Sequence, residues 1–189
     1  VQKRLEVETL AEVSNIEHPL KLEEAALFDQ NFFNDNYFRG FLADDLLTEK
    51  SELGRLLFYD PVLSSNNERA CASCHNADKA FTDGRPKRLA IDGENHIQRD
   101  APTLLNSVYT ERFFYDLREE QLERQIKHVV LDANEFSTDF LKIAEKLEQS
   151  EEYRQRFLSA YPLAKISKYS ISNALAAYLS TLTSFNSPF

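Results

Sequence analysis

Cys71-Ala72-Ser73-Cys74-His75 sets two thiols and an imidazole at a fixed short spacing in a chain of 189 residues. Two thiols three residues apart can each add to one vinyl group of a porphyrin. A histidine directly after them can reach the metal from the same side, so this C-x-x-C-H run reads as an attachment site for c-type haem. Two other chemistries use paired cysteines. A thioredoxin-like dithiol follows a buried strand, whereas the preceding Ser64-Ser65-Asn66-Asn67-Glu68-Arg69 is polar throughout. A zinc half-site completed by His75 would need distant partners. With Cys71 and Cys74 the only cysteines, a disulfide scaffold and a four-cysteine zinc site are excluded.

The second axial position of such an iron decides between carrying electrons and doing chemistry. The chain has no Met, so a His/Met iron cannot form within it, and the usual means of raising an electron carrier's potential is lost. What remains is bis-His ligation through His18, His96 or His128, ligation by Lys or Tyr, or an open position that binds a small oxidant. His96 lies in a loop-rich segment and reads as a distal ligand or gate, or as a solvent-facing residue. His128 sits beside Leu122, Ile126 and Val129 and reads as a packed, hydrogen-bonded histidine. His18 reads as solvated.

The elements that must position these groups follow from periodicity. Leu53, Leu56 and Leu57 predict a helix from Thr48 that stops near Asp60-Pro61, because the residue before proline disfavours helical geometry. Residues 76–118 hold two of the six prolines, two of the four glycines and little 3.6-residue periodicity, which predicts long ordered loops. Leu122, Ile126, Val129 and Val130 predict a helix with one buried face. Ser137 can cap the next helix, running to about Gln149, and Ser150 can cap a shorter one bearing Tyr153, Phe157 and Tyr161 before Pro162. Ile171, Ala174, Leu175, Tyr178, Leu179 and Leu182 form the stripe of a final helix. No strand pattern of comparable length appears, so the fold class is all-α. Residues 1–43 form an amino-terminal extension rich in aromatics, including Phe28, Phe32, Phe33, Tyr37, Phe38 and Phe41, that should pack on something.

Composition narrows the function. Lys and Arg number 22 against 31 Asp and Glu, a net charge of −9, which argues against a nucleic-acid partner. The longest apolar stretch, Ala174 to Leu179, falls far short of the roughly 20 residues a membrane helix needs, so no membrane span is expected. Gly40, Gly54, Gly84 and Gly93 are too scattered for a dinucleotide or phosphate loop. The chain starts at Val1 without a basic-then-apolar leader and reads as a processed product or an excised piece.

Several motifs in order resemble the amino-terminal haem domain of bacterial dihaem cytochrome c peroxidases. They are Leu53-Gly54-Arg55-Leu56-Leu57-Phe58-Tyr59-Asp60, Leu63-Ser64, the Cys71–His75 run, Ala101-Pro102-Thr103-Leu104-Leu105-Asn106, Phe113-Phe114-Tyr115-Asp116-Leu117-Arg118 and Asn134-Glu135-Phe136. The resemblance covers about residues 50–189 and leaves residues 1–43 aside. It implies a cytochrome c-like helical haem domain over 44–189, with Ser184 to Phe189 at the exit towards a second haem domain. It also implies hydrogen peroxide as oxidant and a small electron-donor protein, a cytochrome c or a cupredoxin.

By the same resemblance His75 is the proximal iron ligand and Glu135 the distal carboxylate, moving a proton between the two peroxide oxygens. Tyr115 stands where the family has a Trp between its haems, as an electron relay or a packed ring. Asp100 stands where the family has an Asn that helps bind calcium, as a calcium ligand or a surface carboxylate. His96 is the nearest counterpart of the family's distal histidine, in a loop that is shorter here. Thioether attachment is made outside the cytoplasm, which implies a periplasmic location. The expected reaction is haem-dependent reduction of peroxide. Its rivals are a related dihaem oxidation of a protein or organic substrate, a low-potential bis-His electron carrier, and a haem domain that turns over nothing without its electron input.

Overall fold

The apolar stripe Ile171, Ala174, Leu175, Tyr178 and Leu179 ends up at the centre of the molecule. The computed structural model describes residues 18–21, 32–39 and 44–185. Among them the α-helices are α1 Asp35–Arg39, α2 Leu47–Tyr59, α3 Leu122–Leu131, α4 Phe140–Glu148, α5 Glu151–Ala160 and α6 Lys168–Leu179. Strand pairing among the described residues is limited to isolated bridges, such as Asn76 with Thr82 and Leu89 with His96. The fold is all-α, with long loops carrying short 3₁₀ turns between α2 and α3.

Every residue of α6 from Ser170 to Leu179 is buried, so α6 is wrapped by its neighbours rather than laid on a surface. α2 crosses it most closely at Gly54. A Cβ built there would lie 1.9 Å from the carbonyl oxygen of Ala174 and 2.9 Å from Cβ of Tyr178, so only glycine allows the approach. Leu53, Leu57 and Phe58 then pack against the α6 stripe, each contributing ~1.5–3 kcal/mol by burial. Buried polar side chains pair across three of the helices. Tyr161 Oη donates to Asn173 Oδ1 at 2.8 Å, and Asn173 Nδ2 donates to Glu123 Oε1 at 3.3 Å, tying the end of α5 through α6 to α3.

Helix ends follow local chemistry, with two corrections to the sequence reading. Ser150 caps α5, accepting from the Tyr153 amide at 3.4 Å, as its position predicts. α4 is capped by Asp139, whose Oδ1 accepts from Leu141 and Lys142 at 3.0 Å, and not by Ser137. Ser137 is instead left-handed, with φ of 51°, in the turn that closes α3. Leu182 lies beyond α6, where its carbonyl accepts from the Asn106 amide at 2.7 Å.

The described part of the extension packs on the exit end of the fold. Phe33 stacks on Phe185 with ring centroids 4.7 Å apart and lies 5.1 Å from Tyr109, while Phe38 meets Tyr109 edge-on at 4.8 Å. Arg39 Nη2 donates to the Ser180 carbonyl at 3.3 Å. Phe28 and Phe41 fall outside the described residues.

Candidate active site

The polar run before the cysteines is held from α4. Lys146 Nζ donates to Ser64 O and Asn67 Oδ1, both at 2.7 Å, and to Val62 O at 3.2 Å. Ser73 Oγ then accepts from the Ala70 amide at 3.0 Å. The amides of Cys74 and His75 donate to the Cys71 carbonyl at 3.1 and 2.9 Å. This single helical turn brings Cys71, Cys74 and His75 to one side, as positions i, i+3 and i+4 must be. Burial pushes the Cys71 thiol up to about 12 and raises that of Cys74, so both stay protonated. A redox dithiol needs a lowered value instead. The zinc half-site finds no completing ligands: among the described residues no group of three or more His, Cys, Asp and Glu gathers that could hold a metal ion.

His75 is aimed by the loop after it. The Phe81 carbonyl can only accept, so its 3.0 Å contact with Nδ1 places the proton there and makes Nε2 the nitrogen to ligate a metal; the Pro102 backbone also hydrogen-bonds the ring. That carbonyl is presented by two successive left-handed residues, Ala80 with φ of 53° and Phe81 with φ of 57°. The turn is tied by Phe81 N–H to Asn76 O at 2.8 Å and by Thr103 Oγ1 to Ala80 O at 2.6 Å. Burial lowers the His75 pKa and keeps the imidazole neutral, the form that binds metals.

These three side chains line a cleft open to solvent on one side. Its walls are apolar: Phe58 from α2, Ile126, Val129 and Val130 from α3, and Leu175 and Leu179 from α6. Neutral thiols, a neutral imidazole and apolar walls fit a porphyrin and its iron. Besides His75, the polar side chains reaching the cleft outside the thiols are Arg69, Gln125 and Glu135.

Glu135 arrives from the turn after α3. Its amide donates to Asp132 O at 3.1 Å, and Asp132 Oδ1 accepts from the Asn134 amide at 2.8 Å. The Ile91 amide donates to Asn134 O at 2.9 Å, so the turn is also pinned by the long loop. Arg69 joins all three segments. Its Nη1 donates to Asn134 O at 3.1 Å and lies 3.5 Å from Glu135 O, and its Nη2 donates to Leu89 O at 2.8 Å. Burial pushes the Glu135 carboxyl up to about 7, Asp132 adds to the rise, and Arg69 opposes it. A carboxyl poised there can take and return a proton near neutral pH.

The structure thus brings together Cys71, Cys74, His75 and Glu135. It places His96 on the surface outside the cleft, although its neighbour Ile97 lines it. His128 pairs with Glu119, Nε2 to Oε1 at 2.7 Å, and packs edge-on to Phe114 at 5.1 Å, with 40% of its side chain exposed. His18 is exposed. His75 is the only histidine lining the cleft, and neither Lys nor Tyr lines it, which leaves the bis-His carrier without a second ligand among the described residues. Asp100 is exposed, and its Oδ1 accepts from the Lys87 amide at 3.0 Å. Tyr115 is 92% exposed, not a packed ring, with the Arg99 guanidinium 6.0 Å from its centroid. Arg69 and Gln125 escape the sequence reading because the polar run and the polar flank of the helix each look solvated. Gln125, one position from the buried Ile126, is the signal that was there to find.

Comparison with known proteins agrees with this geometry. The chain is 35% identical over 148 residues to the methylamine utilization protein MauG of Methylophilus methylotrophus, covering 78% of this chain and 44% of that protein. It is 31% identical over 143 residues to the cytochrome c551 peroxidase of Pseudomonas aeruginosa, covering 75% of this chain and 41% of that one. The crystal structure of a MauG-like protein associated with microbial copper homeostasis superposes with a TM-score of 0.69 at 32% identity, over 74% of this chain and 42% of the other. The chain therefore spans less than half the length of these relatives. Residues 48–189 match the sequence pattern of one family along the whole haem-binding segment, and by that match the chain belongs to the di-haem cytochrome c peroxidases.

Proposed function

We propose that the haem-loaded protein reduces hydrogen peroxide, with Cys71 and Cys74 holding the porphyrin through thioether bonds, Nε2 of His75 ligating the iron, and Glu135 moving the proton. The observation that carries this reading is the carboxyl of Glu135, raised to about 7 and sharing one cleft with the paired thiols and His75. A haem bound there supplies the iron that binds the oxidant and the electrons that reduce it. An oxygen of Glu135 takes the proton from one peroxide oxygen and returns it to the other, which leaves as water. Gln125 offers an amide donor to the same space, Arg69 holds the turn that carries Glu135, and the apolar walls keep bulk water from competing for the proton.

In this reading residues 44–189 are the haem domain and residues 1–43 an extension. Electrons come through a second haem domain from a small cytochrome c or cupredoxin, and the protein works in the periplasm, where thioether haem is made. No helix among the described residues is long and apolar enough to cross a membrane. Asp100 keeps one oxygen for a calcium ion shared with that second domain. The exposure of Tyr115 favours a second reading, in which its ring passes electrons to or from a partner protein docked over it, as in oxidation of a protein substrate.

Glu135→Gln, in haem-loaded protein carrying its electron-input domain, is expected to lower kcat/KM for peroxide ~10²- to 10⁴-fold while leaving the haem spectrum unchanged. Unaltered turnover would remove Glu135 from the reaction.

A further inference from the structure

A second recess lies on the surface between the end of α2 and the start of α5, lined by Leu56, Tyr59, Asp60, Pro61, Glu152 and Tyr153, with about 680 Å³ of space open to solvent. Its polar groups are mostly acceptors. Asp60 Oδ1 accepts from the Val62 amide at 2.8 Å and Oδ2 from Tyr153 Oη at 2.6 Å, which fixes the floor. Glu152 stands at the rim with its side chain 69% exposed, one oxygen bound by Arg156 at 2.9 Å and the other facing water. Burial and Asp60 raise the Tyr153 phenol, so it stays protonated and neutral. Two carboxylates disfavour an anionic guest.

This recess is wired to the haem cleft by rings in contact. Tyr59, 46% exposed in the recess, meets Phe58 edge-on at 5.2 Å, and Phe58, 1% exposed, is itself a wall of the cleft. Tyr178 touches Phe58 at 5.2 Å from the other side, and its side chain hydrogen-bonds to Tyr59, which holds the Tyr59 ring in place. Electron tunnelling weakens steeply with distance, and here one ring separates the exposed phenol from the cleft.

We propose that this recess is an electron-donor site for small neutral phenols of the hydroquinone class, whose electrons reach the haem cleft through Tyr59 and Phe58. The proposal rests on peroxide as the oxidant. The donor's ring lies against Tyr59, and its hydroxyl donates to the free oxygen of Glu152. Each phenol gives up one electron through Tyr59 and Phe58 and one proton to Glu152 and then to water, leaving a phenoxyl radical. Two phenols and one hydrogen peroxide yield two phenoxyl radicals and two waters.

The test uses haem-loaded protein with its electron-input domain and hydroquinone as probe. Tyr59→Phe is expected to lower peroxide-dependent hydroquinone oxidation at least tenfold and to leave peroxide removal driven by a reduced small cytochrome c within twofold. Glu152→Ala is expected to raise KM for hydroquinone several-fold at unchanged kcat. A readout independent of turnover is peptide mapping after peroxide and a nitroso spin trap without donor, where the adduct is expected on Tyr59 and absent from Tyr59→Phe. Hydroquinone oxidation unchanged in both variants, or trapping elsewhere with Tyr59 unmodified, overturns the proposal. Wild-type protein that removes peroxide with reduced cytochrome c but oxidises no hydroquinone also overturns it while sparing the peroxide reading. Failure to remove peroxide with either donor sinks both.

Discussion

Glu135 is the residue whose environment has the most measurable consequence. Its carboxyl rises from an ordinary 4.5 to about 7, chiefly because burial disfavours the charge. Between those values the folded protein keeps a proton that the unfolded chain has released. Stability therefore falls as pH rises through that window, by up to about 3 kcal/mol. Urea midpoints measured across the window are expected to fall more steeply with rising pH in the native sequence than in Glu135→Gln, the difference between the two profiles being the share of this carboxyl. Since the carboxylate must be ionised before it can accept a proton, kcat/KM is expected to rise with pH around 7. Asp132→Asn keeps the turn's hydrogen bond, removes a repelling charge, and is expected to move that limb to lower pH, read from a pH–rate profile. At this scale the sequence was legible where chemistry is local. The spacing of Cys71, Cys74 and His75 needs one helical turn and nothing else. Arg69 gains its meaning from carbonyls 20 and 65 residues away, at Leu89 and Asn134, and Gln125 from the cleft it lines with Cys71 and His75; nothing next to them in the chain announces it.

At the scale of elements, the contact between α2 and α6 positions the most. Gly54 lets the two helices close until a Cβ would overlap the Ala174 carbonyl, and the same pair of helices supplies Phe58, Leu175 and Leu179 to the cleft. Gly54→Ala is expected to cost about 3 kcal/mol, seen as a lower Tm in the haem-loaded protein, with a shifted haem spectrum because the cleft wall moves with the helix. The helices were legible from periodicity, and the stop at Asp60-Pro61 from proline sterics. The cap of α4 was not, because Ser137 and Asp139 are equally good caps in isolation. The turn of φ 51° at Ser137, needed to bring Glu135 round, decides between them. The loops of residues 76–118 were legible as loops, but the pair of left-handed residues that aims His75 was not, since neither Ala80 nor Phe81 belongs to the types that favour that geometry.

Across the whole molecule, the net charge of −9 favours a basic over an acidic partner by long-range attraction, screened by salt. The described part of the extension packs on the exit end of the fold, where Phe33 and Phe38 close over Tyr109 and Phe185. Its aromatic content made packing legible, but the surface it covers became visible only once both ends of the chain were placed together. Phe33→Ala is expected to lower stability by ~2 kcal/mol, less than a fully enclosed phenylalanine, with the loss visible as a lower Tm and earlier proteolysis within residues 18–39.

The stacking of Phe33 on Phe185 joins the front of the chain to its rear, so damage at one end is felt at the other. A nick that strips the front segment bares Tyr109 and Phe185 together, turning an internal seal into a sticky patch through which trimmed molecules find one another.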